Sequence, residues 1–396
     1  MPPVSLSAER RRRKACQLRS TEGIYFSRLD HVRAVAAYLV FVWHFLHMTP
    51  SFPVPYNSAP TFPFALLDEG HTGVALFMTL SGYLFARLVG DRGIDFPNFL
   101  WSRAVRLAPL LIVCITAWVV IGWLVGAPIP LSDIVSGVLL PTWPRGTWSI
   151  TIELHFYLLF PLLMLLFRRY GPFVLFVVVV VAMLMRYDWW RTYGEAQHIA
   201  YWTIVGRIDQ FVFGMLFALV KIRRPVLGAV AGISLISFLL LWVQFDAMGG
   251  FNNHTGAPSQ SPLWIFIPTA EAITWGSLIA FYDGSSFRMP AWIDRSLAKV
   301  GEWSYSIYLL HFFPIILLRN IFWDRAGSAD DFFLALFVAN LAFLAFLPVA
   351  ALSYNYFEKR FLVYRRHYLR EPAAQAAPSP AAPAPITTAP SGSSRV

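Results

Sequence analysis

The sequence predicts an all-α fold, a polytopic membrane helix bundle of about ten transmembrane helices with both termini cytoplasmic. Three observations predict it. Of the 396 residues, 57% are hydrophobic and only 14% are charged, where a soluble domain carries about 25%. The apolar residues gather into runs near the ~20 that a helix needs to cross a ~30 Å hydrocarbon core. Most of the 32 Lys and Arg fall on alternate connections, as cytoplasmic loops retain them and exported loops lose them; the expected outer loops hold only Arg145, Arg191 and Arg325.

The first span, residues 30–47, follows a basic start. It is too long for a signal-peptide core and no small-residue cleavage pattern follows, so it is expected to be retained. Ionisable groups inside a span are costly and by default functional. Arg33 and His44 stand eleven positions apart, close to three turns, which puts both on one face ~16 Å apart along the axis. Asp30, Ala37, Val40 and His47 extend that stripe. With the N-terminus inside, Arg33 lies near the cytoplasmic surface and His44 in the outer half. A snorkelling arginine and a histidine bonded to a neighbouring helix carbonyl is the competing, purely structural account.

The second span, 73–88, contains glycines at 73 and 82 and reads first as small-residue helix packing. Trp101-Ser-Arg-Ala-Val-Arg106 leads into the third, 104–126. Arg103 and Arg106 are neighbours on one side of a helix start, and two guanidinium forks there suit phosphate oxygens, which they can bond bidentately. The alternative is an orientation signal alone.

The fourth span, 152–167, is entered from the outer side. Ser149, Glu153 and Tyr157 fall on one face at i, i+4 and i+8, with Trp148 beside them. A carboxylate at the depth of His44 can orient its imidazole or stabilise the charged form; pairing with Arg145 or Arg207 is the structural alternative. The fifth and sixth spans are 172–185 and 202–220, the sixth carrying Arg207, Gln210, Phe211 and Gly214 on one face. The seventh and eighth are 227–245 and 263–282. The ninth, 302–322, places Ser304, Tyr308 and His311 on one face, and the tenth is 332–351. Interhelical hydrogen bonding explains the Arg207 and Tyr308 clusters about as well as catalysis does.

One membrane domain, 27–366, is thus expected between a basic cytoplasmic tail, 1–26, and an Ala/Pro/Ser-rich cytoplasmic tail, 367–396, with the composition of disorder. Cys16 and Cys114 lie on segments that cannot meet, so no disulfide is expected. No metal-ligand spacing occurs, and neither a metal nor a bound cofactor is expected. The net charge of +10 is mostly orientation signal and implies a lipid bilayer rather than nucleic acid as partner. Oligomeric state is left open.

Taken together, these segments resemble the acyltransferase-3 family of integral membrane acyltransferases. The matching stretches are RLDHVRAVAA at 28–37 with His44, GVALF at 73–77 through SGY at 81–83, and RAVR at 103–106. They continue with WSITIELHFY at 148–157, RIDQF at 207–211 through Gly214, SYSIYLLH at 304–311, and Ser353 through EKR at 358–360. Seven segments in family order cover nearly the whole membrane domain. Met78 and Arg360 depart from the usual aromatic and proline, away from the expected chemistry.

The resemblance implies an O-acyltransferase of a multi-pass cell membrane, by family habit the bacterial inner membrane. Acyl-CoA, usually acetyl-CoA, would be the cytoplasmic donor substrate, and a carbohydrate or glycolipid the acceptor on the far side. It implies catalysis by His44, here paired with Glu153, and donor binding by Arg33, Arg103 and Arg106. Asp30, Trp148, Ser149, Tyr157, Arg207, Ser304, Tyr308 and His311 are candidates for substrate binding or structure. The rival class is an exporter of a glycan or lipid-linked intermediate, since buried His, Arg and Glu also mark transport pathways; no internal repeat of the kind many transporters show is evident.

Overall fold

The chain is described here by a computed structural model covering residues 26–47, 62–251, 258–318 and 331–370. The basic tail up to residue 25 with Cys16, the end of the expected ninth span with Arg319 and Arg325, and the Ala/Pro/Ser-rich tail beyond 370 lie outside the described residues.

The helices are α1 (Ser27–His47), α2 (Thr72–Val89), α3 (Phe96–Leu124), α4 (Trp148–Tyr170), α5 (Phe173–Tyr193), α6 (Ile204–Leu219), α7 (Arg224–Ala247), α8 (Ile267–Asp283), α9 (Ala291–Glu302), α10 (Ser304–Leu310) and α11 (Phe332–Ser353). Seven of them, α1 to α5, α7 and α11, are long and apolar enough to cross a bilayer, the last with its C-terminal extension to Tyr364. This is a multi-pass membrane protein.

The other three expected spans are shorter than their hydropathy suggested. Helix α6 has 16 residues and α8 has 17, roughly 24–26 Å at 1.5 Å per residue. Each is preceded by a separate short turn of helix, Gln197–Trp202 and Pro262–Ile265. The apolar run expected at 302–322 is broken: α10 ends at Leu310, His311 sits in a turn, and helix resumes at 312–318.

Burial sorts the helices into a centre and a rim. Within their most apolar windows α1 and α2 are 72% and 78% buried, whereas α5 and α7 are 22% and 17% buried and face lipid. The chemistry is therefore to be sought around α1 and α2. The most extensive interface joins α2 to α6, and it closes through two reciprocal glycines. A Cβ on Gly82 would run into the Phe211 carbonyl, and one on Gly214 into the Thr79 carbonyl. The small-residue packing read from 73–82 is what brings these backbones together. Gly301 of α9 lies in the same way against the Asp30 carbonyl of α1.

The start of α3 is fixed from outside the bundle. Asp95 caps it, accepting from the Asn98 N–H at 3.2 Å, and also accepts from Arg370 at 3.2 Å. Those bonds hold its carboxyl below the usual range, the Asn98 amide contributing most. Next to it Gly93–Ile94 (β1) pairs antiparallel with Leu369–Arg370 (β2). The segment following α11 is thereby strapped to the entry of α3.

Two buried ion pairs knit the core behind the site. Arg186 of α5 bonds Asp209 of α6 at 2.8 Å, both side chains fully buried, and Thr269 of α8 also donates to Asp209. Arg207 pairs with Glu271 at 3.5 Å, which Gln210 bonds at 2.9 Å. Arg186→Met strands the Asp209 carboxylate in the apolar core and is expected to cost about 3–5 kcal/mol, read as a lowered Tm in detergent. The Arg186→Met/Asp209→Leu double substitution should recover most of that loss, because it removes both charges.

Candidate active site

A cavity of about 120 Å³ opens between the central helices. Its wall is built from Arg33 of α1, Ser81 of α2, Arg103 and Arg106 of α3, Glu153 and Tyr157 of α4, Phe211 of α6, and Ser304 and Tyr308 of α10, among others. The helical spacings did their work: Ser149, Glu153 and Tyr157 all reach it from one face of α4, and the expected donor-binding arginines reach it from two helices.

Arg33 lines the cavity while paired with Asp30 one turn earlier. Arg103 is buried, with its guanidinium 5.0 Å from the Phe85 ring, 5.8 Å from Phe99 and 5.7 Å from Tyr368. Its Nε is buried without a hydrogen-bond partner. Neither Arg103 nor Arg106 forms an ion pair among the described residues. An aromatic cage that leaves a cation's donors uncommitted is a binding element for an anion, since π faces stabilise the charge without using its N–H groups.

Glu153 departs from its expected role. Its carboxylate accepts from Ser81 at 3.3 Å and from Tyr157 one turn along, and no bond joins it to His44. It pairs with neither Arg145, which stands over Trp118 at 5.7 Å, nor Arg207, which is committed to Glu271 and stacks 4.1 Å from the Tyr201 ring. The hydroxyl of Ser81 on α2 claims the carboxylate first. Sequence reading missed Ser81 because its segment was already explained by glycine packing; a hydroxyl beside a packing glycine was the available signal.

The partner of His44 is His311. His311 Nε2 lies 3.1 Å from His44 Nδ1, and the ring centroids are 4.7 Å apart. Hydrogen-bond logic fixes the tautomers. His311 Nδ1 sits 2.6 Å from the Tyr308 carbonyl, an acceptor only, so Nδ1 carries the hydrogen and Nε2 the lone pair. His44 Nδ1 lies 2.9 Å from the Val40 carbonyl, so it too carries hydrogen, shared between that carbonyl and His311 Nε2. The lone pair of His44 is left on Nε2, the arrangement a general base requires. Phe312 packs on both rings at 4.5 and 4.3 Å. The break after Leu310 is what turns His311 toward α1.

His44 is half-buried and does not itself line the cavity. Tyr308 belongs to both regions. It lines the cavity, its ring lies 5.9 Å from that of His311, and its hydroxyl meets Ser149 at 2.6 Å and donates to the Gly146 carbonyl at 3.0 Å. Three other candidates are engaged by neighbouring side chains: Asp30 bonds Arg33, Arg207 bonds Glu271, and Trp148 packs 5.1 Å from Tyr201, away from the cavity wall. Among the described residues no group of His, Cys, Asp and Glu is arranged to hold a metal ion.

Comparison with known proteins shows the family. The acyltransferase-3 family model, an acyltransferase domain, matches residues 26–355. A membrane-bound transacylase of Komagataeibacter xylinus, BcsY, is 26% identical over 319 residues, 73% of this chain and 78% of its own length. The O-acetyltransferase OatA of Staphylococcus aureus is 24% identical over 335 residues, 74% of this chain. The chain spans about half the length of OatA, with 52% of that protein covered. No solved structure matches the chain. A match over most of the chain, carried on a multi-pass bundle with arginines and a histidine pair at its centre, makes the protein a membrane-embedded enzyme belonging to the acyltransferase-3 family.

Proposed function

We propose that the protein moves an acyl group, acetyl by the name its relative OatA carries, from acyl-CoA on the cytoplasmic side to a hydroxyl of a carbohydrate or lipid-linked glycan on the other side. The observation that carries this reading is one cavity lined by Arg33, Arg103 and Arg106 and bounded by Tyr308, next to a histidine pair with a lone pair on His44 Nε2. The charge distribution supports cytoplasmic termini, a donor entrance at Arg103 and Arg106, and His44 toward the opposite face.

In this scheme the donor's phosphates rest on Arg103 and Arg106, with Arg33 further in. The pantetheine arm runs inward beside Glu153 and Ser149 toward Tyr308. The Tyr308–Ser149 bond opens to admit the thioester. His44 Nε2 takes the acceptor's hydroxyl proton as that oxygen attacks the thioester carbonyl, and the C–S bond breaks. The proton then passes to the departing thiolate, so His44 returns neutral. His311 and the Val40 carbonyl together hold His44 in the productive tautomer, the office a carboxylate fills in other histidine catalysts. The acceptor is a glycan of the cell envelope, and the membrane is the bacterial inner membrane.

Incubating membranes holding the protein with labelled acetyl-CoA and cell-envelope glycan tests this directly. Label should move to the glycan with release of free thiol. Glycan export with no consumption of thioester would overturn the reading and favour an exporter. Replacing Arg103 and Arg106 together with Gln should raise the donor KM by about 10²-fold, at roughly 1.5 kcal/mol for each charged hydrogen bond lost. An unchanged KM would reduce both arginines to an orientation signal.

A further inference from the structure

Glu153 lines the cavity, yet the proton transfer at His44 makes no use of it. Its two oxygens are treated differently. Oε1 accepts from the Ser81 hydroxyl at 3.3 Å and from the Tyr157 hydroxyl one turn along α4. Oε2 accepts no hydrogen bond among the described residues, and the side chain is half-buried in the cavity wall. Arg33, Arg103 and Arg106 line the same cavity, and none of them pairs with Glu153 among the described residues. Hydroxyls on two helices thus aim the carboxylate and keep it off the arginines. An ionised carboxylate accepts on both oxygens, and holding one in a partly dehydrated cavity is costly while an oxygen lacks a donor. Oε2 is placed to be satisfied by a ligand.

Helix α4 sets the level at which that ligand is met. Tyr157 packs 5.5 Å from Phe85 and 5.7 Å from Phe99, rings that also face the Arg103 guanidinium. Ser149, toward the start of the same helix face, meets the Tyr308 hydroxyl at 2.6 Å. Glu153 stands midway, about 6 Å of helical rise from each. A molecule lying along this face meets guanidinium groups at one end, a carboxylate in the middle and hydroxyls at the other end. Anionic groups suit the first position and are repelled from the second, where the ligand must be neutral and offer an N–H or O–H. An acyl-CoA has that order: phosphates, then an arm with two secondary amides, then the thioester. The amide nearest the thioester is separated from it by two methylenes and the sulfur, a span of about 5–6 Å, which is one turn of helix.

We propose that Glu153 Oε2 accepts the N–H of that amide, with Ser81 and Tyr157 holding the carboxylate in register, so that the thioester is delivered to the level of Tyr308. The inference rests on the acyl-CoA reading of the site. It gives Glu153 a role in recognising the donor instead of one in orienting His44.

The test uses the full-length protein in detergent and two oxa analogues of acetyl-CoA, each with one amide N–H replaced by an ester oxygen. The nearer analogue carries the change at the amide beside the thioester, the farther one at the other amide. The nearer change sets an acceptor against Oε2. Wild type should show a KM about tenfold higher for the nearer analogue than for acetyl-CoA, as for one lost charged hydrogen bond, and an unaltered KM for the farther one. In Glu153→Gln the Ser81 and Tyr157 hydroxyls keep the amide oxygen at the Oε1 position, so the NH2 group takes the place of Oε2. That group opposes the N–H of acetyl-CoA and suits the ester, so the KM for acetyl-CoA should rise and the preference should vanish or invert. Tyr157→Phe, which loosens the carboxylate, should fall between. Thermal melting with CoA and with its nearer oxa counterpart should follow the same order without turnover.

Equal wild-type KM values for acetyl-CoA and the nearer analogue would overturn the proposal with no variant needed. An equal KM rise for all three donors in Glu153→Gln would reduce the residue to a structural part and overturn it as well. So would a fall in kcat with the KM ratios kept and the pH profile displaced, the mark of a partner of His44. A wild type that consumes no acetyl-CoA would sink the acyl-CoA reading instead. The melting comparison would then decide the amide contact alone: a preference for CoA that Glu153→Gln abolishes would uphold it, and equal or absent stabilisation would overturn it.

Discussion

Replacing His44 with alanine is expected to lower acyl transfer by about 10²–10⁴-fold, the range spanned by removal of a positioned general base, with the yield and melting temperature of the purified protein little changed. The imidazole is half-buried at the end of α1 and makes its bonds to the Val40 carbonyl and His311. Removing it strands no buried charge, and the apolar length of the span is preserved. His311→Ala should act in the same direction but less strongly, because it deletes one of the two acceptors at His44 Nδ1, leaves the Val40 carbonyl in place and spares the base itself. Its loss should fall on kcat, with the donor KM held by the distant arginines. Initial rates against labelled donor, with size-exclusion profiles of each variant, check both. Wild-type turnover in His44→Ala would remove the histidine pair from the chemistry.

The parts of this site legible in the sequence are those written along a single helix. A spacing of four placed Ser149, Glu153 and Tyr157 on one face, and a spacing of three placed Arg103 beside Arg106; all five side chains line the cavity. Contacts between distant segments were not legible in the same way. Glu153 and His44 lie at similar depth by hydropathy, which says nothing of azimuth. In the bundle the carboxylate meets Ser81 of α2, and the imidazole meets a residue 267 positions away. The break at His311 was hidden for a related reason. Residues 302–322 read as one apolar run because hydropathy averages over Pro314, although a proline in the first turn of a resuming helix is the signal that marks the break. The spans that fell short, α6 and α8, are among the most deeply packed, and helices sheltered by neighbours need not match the bilayer thickness alone.

Gly82→Ala and Gly82→Val should both destabilise the bundle by more than about 3 kcal/mol, beyond the usual cost of overpacking, because the added Cβ meets backbone instead of a side chain that can turn aside. At Gly82 that obstacle is the Phe211 carbonyl, and the reciprocal Gly214 faces the Thr79 carbonyl, so neither helix can yield without losing the other contact. Gly232→Ala is the matched control. It lies on the lipid-facing α7 with nothing within 4 Å of its Cβ position, and should be neutral or stabilising by up to about 1 kcal/mol through helix propensity. Melting curves and the monodisperse fraction in detergent separate the two outcomes, and a Gly82→Ala protein that melts like wild type would disprove the close crossing. The expected loss extends to function. Pushing α2 off α6 draws Ser81 away from Glu153 and moves Phe211 in the cavity wall, so whatever folded Gly82→Val remains should transfer less acyl group per molecule than wild type, even with His44, Arg103 and Arg106 all in place.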